Sequence, residues 1–365
     1  MALSTVLIIG GSGFLGCHLV DRFYAVSPRP AIHVLDIRPL PIISPEFYSF
    51  NPDEIVFHKG DITDPDSLRE IYREVKPDII VHSASPIHGM GKEIYYKVNV
   101  DGTQAIIDVA VEPEFADIIK GLVYTSSASV IYNGEDLRNA DETTPMPEKQ
   151  MDAYNETKAL GEKMVLAANN KRPGFKTVAL RPSAMFGPGD RQLIPNMVQV
   201  GYTSGTRFQI GNNWNIFDFT YIGNVAHAHV LAAQKLLDEK KSGGVAGEPF
   251  IITNNQPVYF FTVPRKVWAM KGNIPSFTIK ISRPVGFFLA FMSEVVAKLR
   301  GKEALFTRFR VSFTCANRYF NISKAIHFLE YKPIVTLEKG IEISLRYLEY
   351  EEEEKAKTLA EKKSE

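Results

Sequence analysis

Tyr154 and Lys158 are four residues apart in the segment YNETKALGEK, whose polar and apolar spacing predicts an amphipathic helix. Residues with this spacing lie on one helical face, so the phenol and the ammonium point to the same side. A nearby ammonium stabilises tyrosinate and is expected to lower the phenol pKa from its usual value of about 10. The pair could then take a proton from an alcohol, whereas Glu156, Glu162 and Lys163 are expected on the solvated face.

Two adjacent serines end a predicted strand upstream of this helix, in the segment YTSSASV. A serine hydroxyl at a strand end could hold a substrate oxygen by a hydrogen bond while the phenol accepts its proton. Ser127 is the first candidate for this role and Ser126 is the alternative. Combined with a hydride acceptor, the serine, Tyr154 and Lys158 describe the oxidation of an alcohol to a ketone.

A glycine-rich turn, GGSGFLG, directly follows the first predicted strand and carries Gly10, Gly13 and Gly16 in the spacing GxxGxxG. Glycines let the backbone approach a pyrophosphate, and the N-terminus of the next helix attracts its negative charge. Asp36 ends the second predicted strand, where a carboxylate accepts hydrogen bonds from ribose hydroxyls and repels a 2′-phosphate. The sequence therefore predicts an NAD site, with NADP as the alternative because Arg38 could reach a 2′-phosphate.

Residues at three further predicted element ends could line the rest of the cofactor site. Asp61 could accept a hydrogen bond from the adenine amino group while Ile62 packs on the ring. The small residues Ala84 and Ser85, in the segment HSASP, would leave room for a ligand at the sheet edge. Asn99 could bond a backbone carbonyl or a water near the lysine, or cap a helix.

The elements that must position these residues follow an α/β pattern. Apolar runs alternate with amphipathic stretches, which predicts a Rossmann-type doubly wound parallel sheet with strands at 6–10, 31–36, 55–61, 78–84, 121–127 and 176–182. After Pro182 the pattern breaks into pieces punctuated by glycine and proline. We therefore predict a cofactor-binding core over 1–185, to which the segment 218–254 contributes. A smaller, interleaved C-terminal substrate-binding region follows over 186–350, and the chain ends in a charged tail over 351–365.

The composition excludes several classes of function. The 365 residues include 42 basic and 42 acidic ones, so no overall field attracts nucleic acid. Cys17 and Cys315 are the two cysteines, and they form neither a disulfide framework nor a metal-ligand cluster, which favours a reducing compartment. His227 and His229 are two apart on a predicted helix and are expected to be packing or surface residues.

The segment 284–300 begins with PVGFFLAFM, and no apolar run is long enough to span a membrane. Basic residues flank the segment at Lys280, Arg283, Lys298, Arg300 and Lys302. This pattern favours a helix in a membrane interface, with its apolar face in lipid and its basic residues at the headgroups. A buried helix that lines an apolar pocket fits the composition equally well.

The segments GGSGFLG, LDIR, YTSSASV, YNETK and LRPSAMFGPGD together resemble the extended short-chain dehydrogenase/reductase family and, within it, the 3β-hydroxysteroid dehydrogenase branch. DAYNETKALGEKMVLAAN, ALRPSAMFGPGDRQLIP and DFTYIGNVAHAHVLAAQKLL are similar to fungal members of ergosterol biosynthesis that act on 4α-carboxysterols. The resemblance covers roughly residues 4 to 350. It implies NAD-dependent oxidation of a 3β-hydroxyl with loss of the 4-carboxylate as carbon dioxide.

The resemblance also implies a role for each matching residue. Tyr154 would be the proton acceptor, Lys158 the ribose-binding activator and Ser127 the donor to the substrate oxygen. The residues implied around the cofactor are Gly10, Gly13, Phe14, Leu15, Asp36, Asp61 and Ile62, with Pro182 and Ser183 near the nicotinamide carboxamide. Many relatives carry VYG where this chain has VIYNG, which keeps Ser126 open as the alternative serine, and Arg191 is a candidate to meet the substrate carboxylate.

The family further implies a homodimer, peripheral contact with the cytosolic face of the endoplasmic reticulum membrane, and association with other enzymes of sterol C4 demethylation. Two alternatives remain at this point. A nucleotide-sugar epimerase or dehydratase uses the same Tyr/Lys pair but needs cationic groups for a diphosphate, which the apolar second half does not favour. A non-catalytic NAD-binding regulator would not need the intact Tyr154, Lys158 and serine set.

Overall fold

The computed structural model describes residues 3–87, 89–301, 304 and 306–364. Its strands are β1 Thr5–Ile9, β2 Ala31–Asp36, β3 Val56–Lys59, β4 Ile79–His82, β5 Gly121–Thr125, β6 Leu137–Ala140, β7 Lys176–Pro182, β8 Met185–Phe186, β9 Phe208–Ile210, β10 Ile216–Phe217, β11 Thr220–Tyr221, β12 Glu248–Ile252, β13 Val258–Tyr259, β14 Ile279–Ile281 and β15 Arg318–Phe320. Its helices are α1 Phe14–Tyr24, α2 Pro65–Val75, α3 Lys92–Tyr95, α4 Thr103–Ala110, α5 Ala153–Ala167, α6 Ile194–Gly201, α7 Ile222–Leu237, α8 Thr262–Met270, α9 Arg283–Leu299, α10 Arg308–Cys315, α11 Ser323–Phe328 and α12 Leu337–Ser364.

Seven parallel strands form the central sheet, in the order β12-β7-β5-β4-β1-β2-β3. Each of the six strands predicted from the apolar runs is present, and β12 joins the sheet from within the segment 218–254. Parallel strands of this kind are covered on both faces, so most side chains of the inner strands are apolar and buried. The predicted Rossmann-type doubly wound fold is therefore confirmed.

The two faces of the sheet carry two separate hydrophobic cores. Along β1, Val6 and Ile8 point into one core, which α1 and α7 complete. Leu7 and Ile9 point into the other core, which contains side chains of α2, α4 and α5. This alternation follows from the two-residue period of a strand and leaves only the carboxyl ends of the strands open for a ligand.

A smaller sheet brings the second half of the chain to the same end of the molecule. Its strand order is β13-β10-β15-β6, in which β15 pairs with β10 on one side and with β6 on the other. The strand β6 belongs to the connection that follows the serine-rich end of β5. Segments from residues 137 to 320 therefore meet beside that strand end.

The helix α9 lies on the surface. Only Gly286 and Ala290 of this helix are buried, whereas its large apolar side chains are exposed, namely Val285, Phe288, Leu289, Phe291, Met292, Val295, Val296 and Leu299. The alternative of a buried, pocket-lining helix is therefore wrong, because the small residues and not the large ones face the protein. None of the helices within the described part of the chain is both long and apolar enough to cross a membrane. The helix α12 continues through the predicted charged tail as far as Ser364.

Candidate active site

The glycine turn between β1 and α1 is packed against neighbouring backbone. Gly10 has a φ of +84°, and a Cβ there would lie 2.5 Å from the amide nitrogen of Ala84. A Cβ on Gly16 would lie 2.1 Å from the carbonyl oxygen of Gly10, so α1 approaches the turn more closely than any other residue type allows. Gly13 is the N-cap of α1 and offers no side chain to cap the first amides of the helix. The first amides of α1 are therefore available to a phosphate, and the turn fits a dinucleotide.

Asp36 is fixed at the edge of this turn. Its carboxylate accepts hydrogen bonds from the backbone amides of Ser12 and Arg38, both at 3.1 Å. The Ser12 hydroxyl in turn donates to the Arg38 carbonyl at 2.8 Å. The carboxylate thus has a set position, while the Arg38 side chain is exposed. This geometry suits the ribose of the predicted cofactor.

The other predicted cofactor residues lie around the same edge of the sheet. Asp61 is exposed and accepts hydrogen bonds from Thr63, and Ile62 beside it is buried. Ala84 and Ser85 follow β4, and Gly10 packs against Ala84. Of the residues predicted around the pyrophosphate, Leu15 is buried in the core, so only its backbone faces the turn, and Phe14 is partly buried.

Asn99 lies within a π-helical turn, Tyr96–Gly102, and does not cap a helix. Its side chain is 1% exposed and donates a hydrogen bond to the Thr157 hydroxyl at 3.0 Å. The side-chain oxygen of Asn99 is buried without a hydrogen-bond partner in the described part of the chain. A buried acceptor of this kind usually has a water or ligand partner.

Ser127 and Tyr154 meet above the carboxyl end of β5. The two side chains share a hydrogen bond, and Ser127 also bonds the Ser129 hydroxyl at 2.7 Å. Ser129 donates to the Asn155 side chain at 2.7 Å, which ties the serine loop to α5. The ring of Tyr95 contacts the ring of Tyr154 edge-on, with centroids 5.7 Å apart. Ser127 and Tyr154 are therefore positioned by a chain of hydrogen bonds between neutral hydroxyl and amide groups.

Ser126, the alternative serine, faces the other way. Its hydroxyl donates to the Glu162 carboxylate at 2.5 Å. Glu162 is fully buried and forms a two-pronged ion pair with Arg181 of β7, with the shortest contact at 2.6 Å. The prediction that Glu162 lies on the solvated face is wrong, because α5 is covered on that side by β5 and β7. Only Ser127 of the two serines faces Tyr154.

Lys158 is buried beneath the pair, at 2% exposure. Its ammonium donates to the Thr125 carbonyl and lies 4.4 Å from the centroid of the Tyr124 ring. Burial lowers the pKa of Lys158 to about 7, and the Glu162 carboxylate opposes that shift. The Thr125 hydroxyl bonds the fully buried ring of His229 at 2.8 Å, so His229 is a packing residue, as predicted.

The phenol of Tyr154 does not have the lowered pKa expected from the sequence. Burial, with Tyr95 and Asp152 adding to it, raises the pKa of Tyr154 to about 12, while the Ser127 hydrogen bond acts in the opposite direction. A lowered pKa requires the ammonium of Lys158 to lie close to the phenol of Tyr154. In the structure that ammonium donates to the Thr125 carbonyl instead. Any lowering of the phenol pKa must therefore come from charges that arrive with bound ligands or from a rearrangement of Lys158.

The end of β7 closes the site on the side of the small sheet. Pro182 pairs with Ile252 of β12, and the next residue, Ser183, donates its hydroxyl to the Asp218 carbonyl at 3.0 Å. The carbonyl of Pro188, in the following loop, contacts the His18 ring of α1 at 2.8 Å. The predicted residues Pro182 and Ser183 thus lie between the cofactor turn and the second half of the chain.

Sequence reasoning missed the polar residues that hold the predicted ones in place. Glu162 and Arg181 fix α5 to β7, and Ser129 with Asn155 fixes the serine loop to α5. Arg191, the basic residue proposed to meet the substrate, is exposed. Taken together, the site can bind a nicotinamide dinucleotide at the glycine turn and hold an alcohol oxygen between Ser127 and Tyr154.

Comparison with known proteins agrees with this chemistry. The model of the 3-beta hydroxysteroid dehydrogenase/isomerase family matches residues 7–283. The chain is 51% identical over 347 residues to the sterol-4-alpha-carboxylate 3-dehydrogenase, decarboxylating, of Saccharomyces cerevisiae, which covers 95% of this chain and 98% of that protein. The Homo sapiens protein of the same description is 34% identical over 343 residues, with 92% and 86% coverage.

Solved structures with the same fold include sugar-nucleotide enzymes. A dTDP-glucose 4,6-dehydratase from Bacillus anthracis, in complex with NAD, has a TM-score of 0.68 at 20% identity and covers 96% of this chain and 98% of its own. A UDP-glucose 4-epimerase from Thermus thermophilus, also in complex with NAD, has a TM-score of 0.67 at 19% identity, with 94% and 98% coverage. At these identities the likeness shows the fold alone.

Proposed function

The chain belongs to the 3-beta hydroxysteroid dehydrogenase/isomerase family, and we propose that it oxidises the 3β-hydroxyl of a 4α-carboxysterol to a ketone with loss of the 4-carboxylate as carbon dioxide. The observation that carries the chemistry is the hydrogen bond between Ser127 and Tyr154, on the helix that also carries the buried Lys158. The substrate class is the one named for the Saccharomyces cerevisiae and Homo sapiens relatives. Those relatives favour this activity over that of the sugar-nucleotide enzymes, which share only the fold.

Two hydroxyls hold the reacting oxygen. Ser127 donates a hydrogen bond to the C3 oxygen, and Tyr154 accepts the proton that this oxygen loses. When bound, oxidised nicotinamide dinucleotide supplies the acceptor for the hydride from C3. Because burial raises the pKa of Tyr154 to about 12, the phenolate that accepts this proton forms readily only once positive charge has reached the site.

The same two hydroxyls assist the loss of carbon dioxide. Oxidation at C3 leaves a ketone next to the carbon that carries the carboxylate, which makes a β-keto acid. As the bond between C4 and the carboxyl carbon breaks, its electron pair moves onto the C3 oxygen and forms an enolate. Ser127 and the protonated Tyr154 both donate to that oxygen and stabilise its charge. A metal ion is not required for this step.

NAD is the proposed cofactor in preference to NADP. Asp36 is the residue that supports this choice, since its carboxylate is anchored at the turn by two backbone amides. A 2′-phosphate would meet this negative charge at close range, whereas a ribose hydroxyl would donate to it. Arg38 is the residue that could favour NADP, because its exposed side chain could reach a 2′-phosphate.

The test is incubation of the purified protein with NAD⁺ and a 4α-carboxysterol, with NADH and carbon dioxide measured together. The wild type should form both, and Tyr154→Phe should lose about 10²- to 10⁴-fold in kcat because it lacks the proton acceptor. NADH binding, followed by its fluorescence, serves as the control for folding. A wild type that binds the cofactor but forms neither product would refute the sterol activity, and full activity in Tyr154→Phe would refute the assigned base.

We also propose that α9 lies in the membrane interface at the cytosolic face of the endoplasmic reticulum. Its exposed apolar residues recur every three or four positions from Val285 to Leu299, which gives one apolar stripe along the helix. Arg283 begins the helix and Lys298 lies in its last turn, where both could reach anionic headgroups. A water-insoluble sterol would reach the site from such a surface.

Vesicle flotation tests this membrane contact. Phe288→Ser combined with Met292→Ser should release the protein from vesicles that contain phosphatidylserine, while NADH binding stays the same. Ile42→Ser is the matched control, because Ile42 is 98% exposed and lies outside α9. If the double variant floats like the wild type, α9 is not the membrane contact.

A further inference from the structure

Arg318 lies next to the candidate active site although it is far from it in sequence. It begins β15, and its carbonyl accepts a hydrogen bond from the Asp218 amide at 2.9 Å. The Asp218 carbonyl in turn accepts from the Ser183 hydroxyl. On its other side, Arg318 meets Tyr132, which follows the Ser127 loop and is bonded to it through the Ser129 carbonyl. Contacts therefore connect Arg318 both to Ser183, at the end of β7, and to the loop that follows Ser127.

The guanidinium of Arg318 is surrounded by aromatic rings. Its central carbon lies 4.4 Å from the Tyr132 ring centroid, 5.1 Å from that of Phe313 and 5.8 Å from that of Phe217. The residue is only 8% exposed. Burial lowers the pKa of Arg318 to about 10, with Tyr132 opposing this shift. The apolar surroundings thus make the protonated form of Arg318 less favourable than it is in water.

Two polar groups at this place are left without partners. The Nε of Arg318 and the hydroxyl of Tyr132 are both buried, and neither has a hydrogen-bond partner in the described part of the chain. Within that part Arg318 also forms no ion pair. Two other buried arginines, Arg181 and Arg172, also have one unpartnered nitrogen each, but Arg181 is paired with Glu162 and Arg172 donates to three backbone carbonyls.

A buried guanidinium nitrogen without an acceptor is costly, because it has given up water without gaining a hydrogen-bond partner. Such a group in a native fold requires an explanation, and a bound anion is the simplest one that chemistry offers. A guanidinium can bind a carboxylate through two parallel hydrogen bonds, and a phenol can donate a third. The rings of Phe217 and Phe313 would exclude water from that contact and strengthen it.

We propose that Arg318, together with the Tyr132 hydroxyl, binds the 4α-carboxylate of the sterol and so selects acidic sterols over neutral ones. This assignment rests on the proposed function, in which the C3 oxygen lies between Ser127 and Tyr154. C4 is bonded to C3, so its carboxylate must lie beside the serine loop that leads to Tyr132. Arg191, which the sequence alone favoured for this role, is exposed and would bind a carboxylate in water.

The experiment compares two substrates, a 4α-carboxysterol and the same sterol with a methyl group in place of the carboxylate. For Arg318→Met, kcat/KM for the carboxysterol should fall by about 10- to 100-fold, mainly through KM, since hydrogen bonds to a charged group are lost. The value for the methyl sterol should change by less than about threefold. Arg318→Lys should recover part of the loss, and Tyr132→Phe should show a smaller loss of the same selectivity.

Binding to a variant without turnover gives a second measurement. Dissociation constants of both sterols are measured for Tyr154→Phe and for Tyr154→Phe with Arg318→Met, each loaded with NAD⁺. Only the carboxysterol should bind more weakly to the double variant. Unfolding temperature and NADH binding show whether each variant is folded.

Four outcomes would overturn the assignment. An equal loss on both sterols in Arg318→Met would mean that Arg318 only supports the small sheet. A selective loss in Arg191→Met and not in Arg318→Met would assign the carboxylate to Arg191. If the wild type oxidises both sterols equally, the proposed selection of acidic sterols is refuted, whereas the proposed dehydrogenase activity is not. A wild type that oxidises neither would refute the proposed function itself, and this inference with it.

Discussion

The cofactor side and the substrate side of the cleft each bury an arginine, and the two arginines have different surroundings. Arg181, beneath α5, forms a two-pronged ion pair with the fully buried Glu162, which also accepts from Ser126. Arg318, in the small sheet, faces aromatic rings and no carboxylate in the described part of the chain. On the cofactor side, the counter-ion of the buried arginine is therefore a side chain of the protein. On the substrate side, we infer that the counter-ion of Arg318 is a ligand.

The two sides also differ in how completely they bury their apolar side chains. Around the glycine turn, β1 and α1 bury almost every apolar side chain, and Gly10 and Gly16 allow backbone contacts too close for a Cβ. On the other side, α9 leaves a stripe of large apolar residues exposed. Buried polar atoms and exposed apolar side chains that the fold leaves without partners indicate where a ligand or a surface binds.

The largest expected difference is in stability. Arg181→Met should lower the free energy of unfolding by about 3 to 5 kcal/mol, because it leaves the Glu162 carboxylate buried without its counter-ion. Arg318→Met should change it by less than about 1 kcal/mol, since no partner is left behind and methionine can still fill the space between the rings. Urea denaturation of both variants, followed by circular dichroism, measures the two values. Similar losses would mean that Arg318 has a structural partner and would break the comparison.

A second, smaller effect is expected at the glycine turn. Gly10→Ala places a Cβ within 2.5 Å of the Ala84 backbone at a φ of +84°, so either β1 or the loop after β4 must shift. We expect a loss of about 2 to 3 kcal/mol in stability and weaker NADH binding. Gly174→Ala is the matched control, because Gly174 also has a positive φ but a Cβ there would meet nothing within 4 Å. Equal losses in both variants would attribute the effect to the backbone conformation and not to the packed turn.

The cofactor side could be predicted from local sequence because its signals are short. The turn GGSGFLG follows its strand directly, and Asp36 lies at the end of the next strand, so spacing alone locates them. The six apolar runs likewise predict six strands of the central sheet. These features depend on neighbours in the chain, for which periodicity is a sufficient guide.

The remainder of the site depends on contacts between distant segments. The position of Glu162 on the helix predicts a solvated side chain, and the residue is buried because Arg181 approaches it from β7. The helix itself comes close to β5 because residue 161 is a glycine. A Cβ on Gly161 would lie 2.4 Å from the Tyr124 hydroxyl. Arg318 and Tyr132 are 186 positions apart in the sequence, so no local pattern predicts that they are in contact. The raised pKa of Tyr154 also follows from burial, which the spacing of Tyr154 and Lys158 does not reveal.

The smallest expected effect concerns proton binding on the cofactor side. If activity needs tyrosinate at Tyr154 and ammonium at Lys158, log kcat/KM should rise by about one per pH unit while Lys158 keeps its proton. It should level off above the pKa of Lys158, which burial lowers to about 7. Further ionisation of Tyr154, whose pKa is raised to about 12, is then offset by loss of the Lys158 proton.

Glu162→Gln should move this break to lower pH. The Glu162 carboxylate raises the pKa of Lys158, so its removal makes the ammonium easier to deprotonate. A nearby buried charge shifts a pKa by about one unit or more, so the break should fall by about one pH unit. Glu156→Gln is the matched control on the same helix, since its side chain is 43% exposed and pairs with Lys92. A break that stays in place in Glu162→Gln would mean that the buried ion pair holds α5 in position without setting the charge of Lys158.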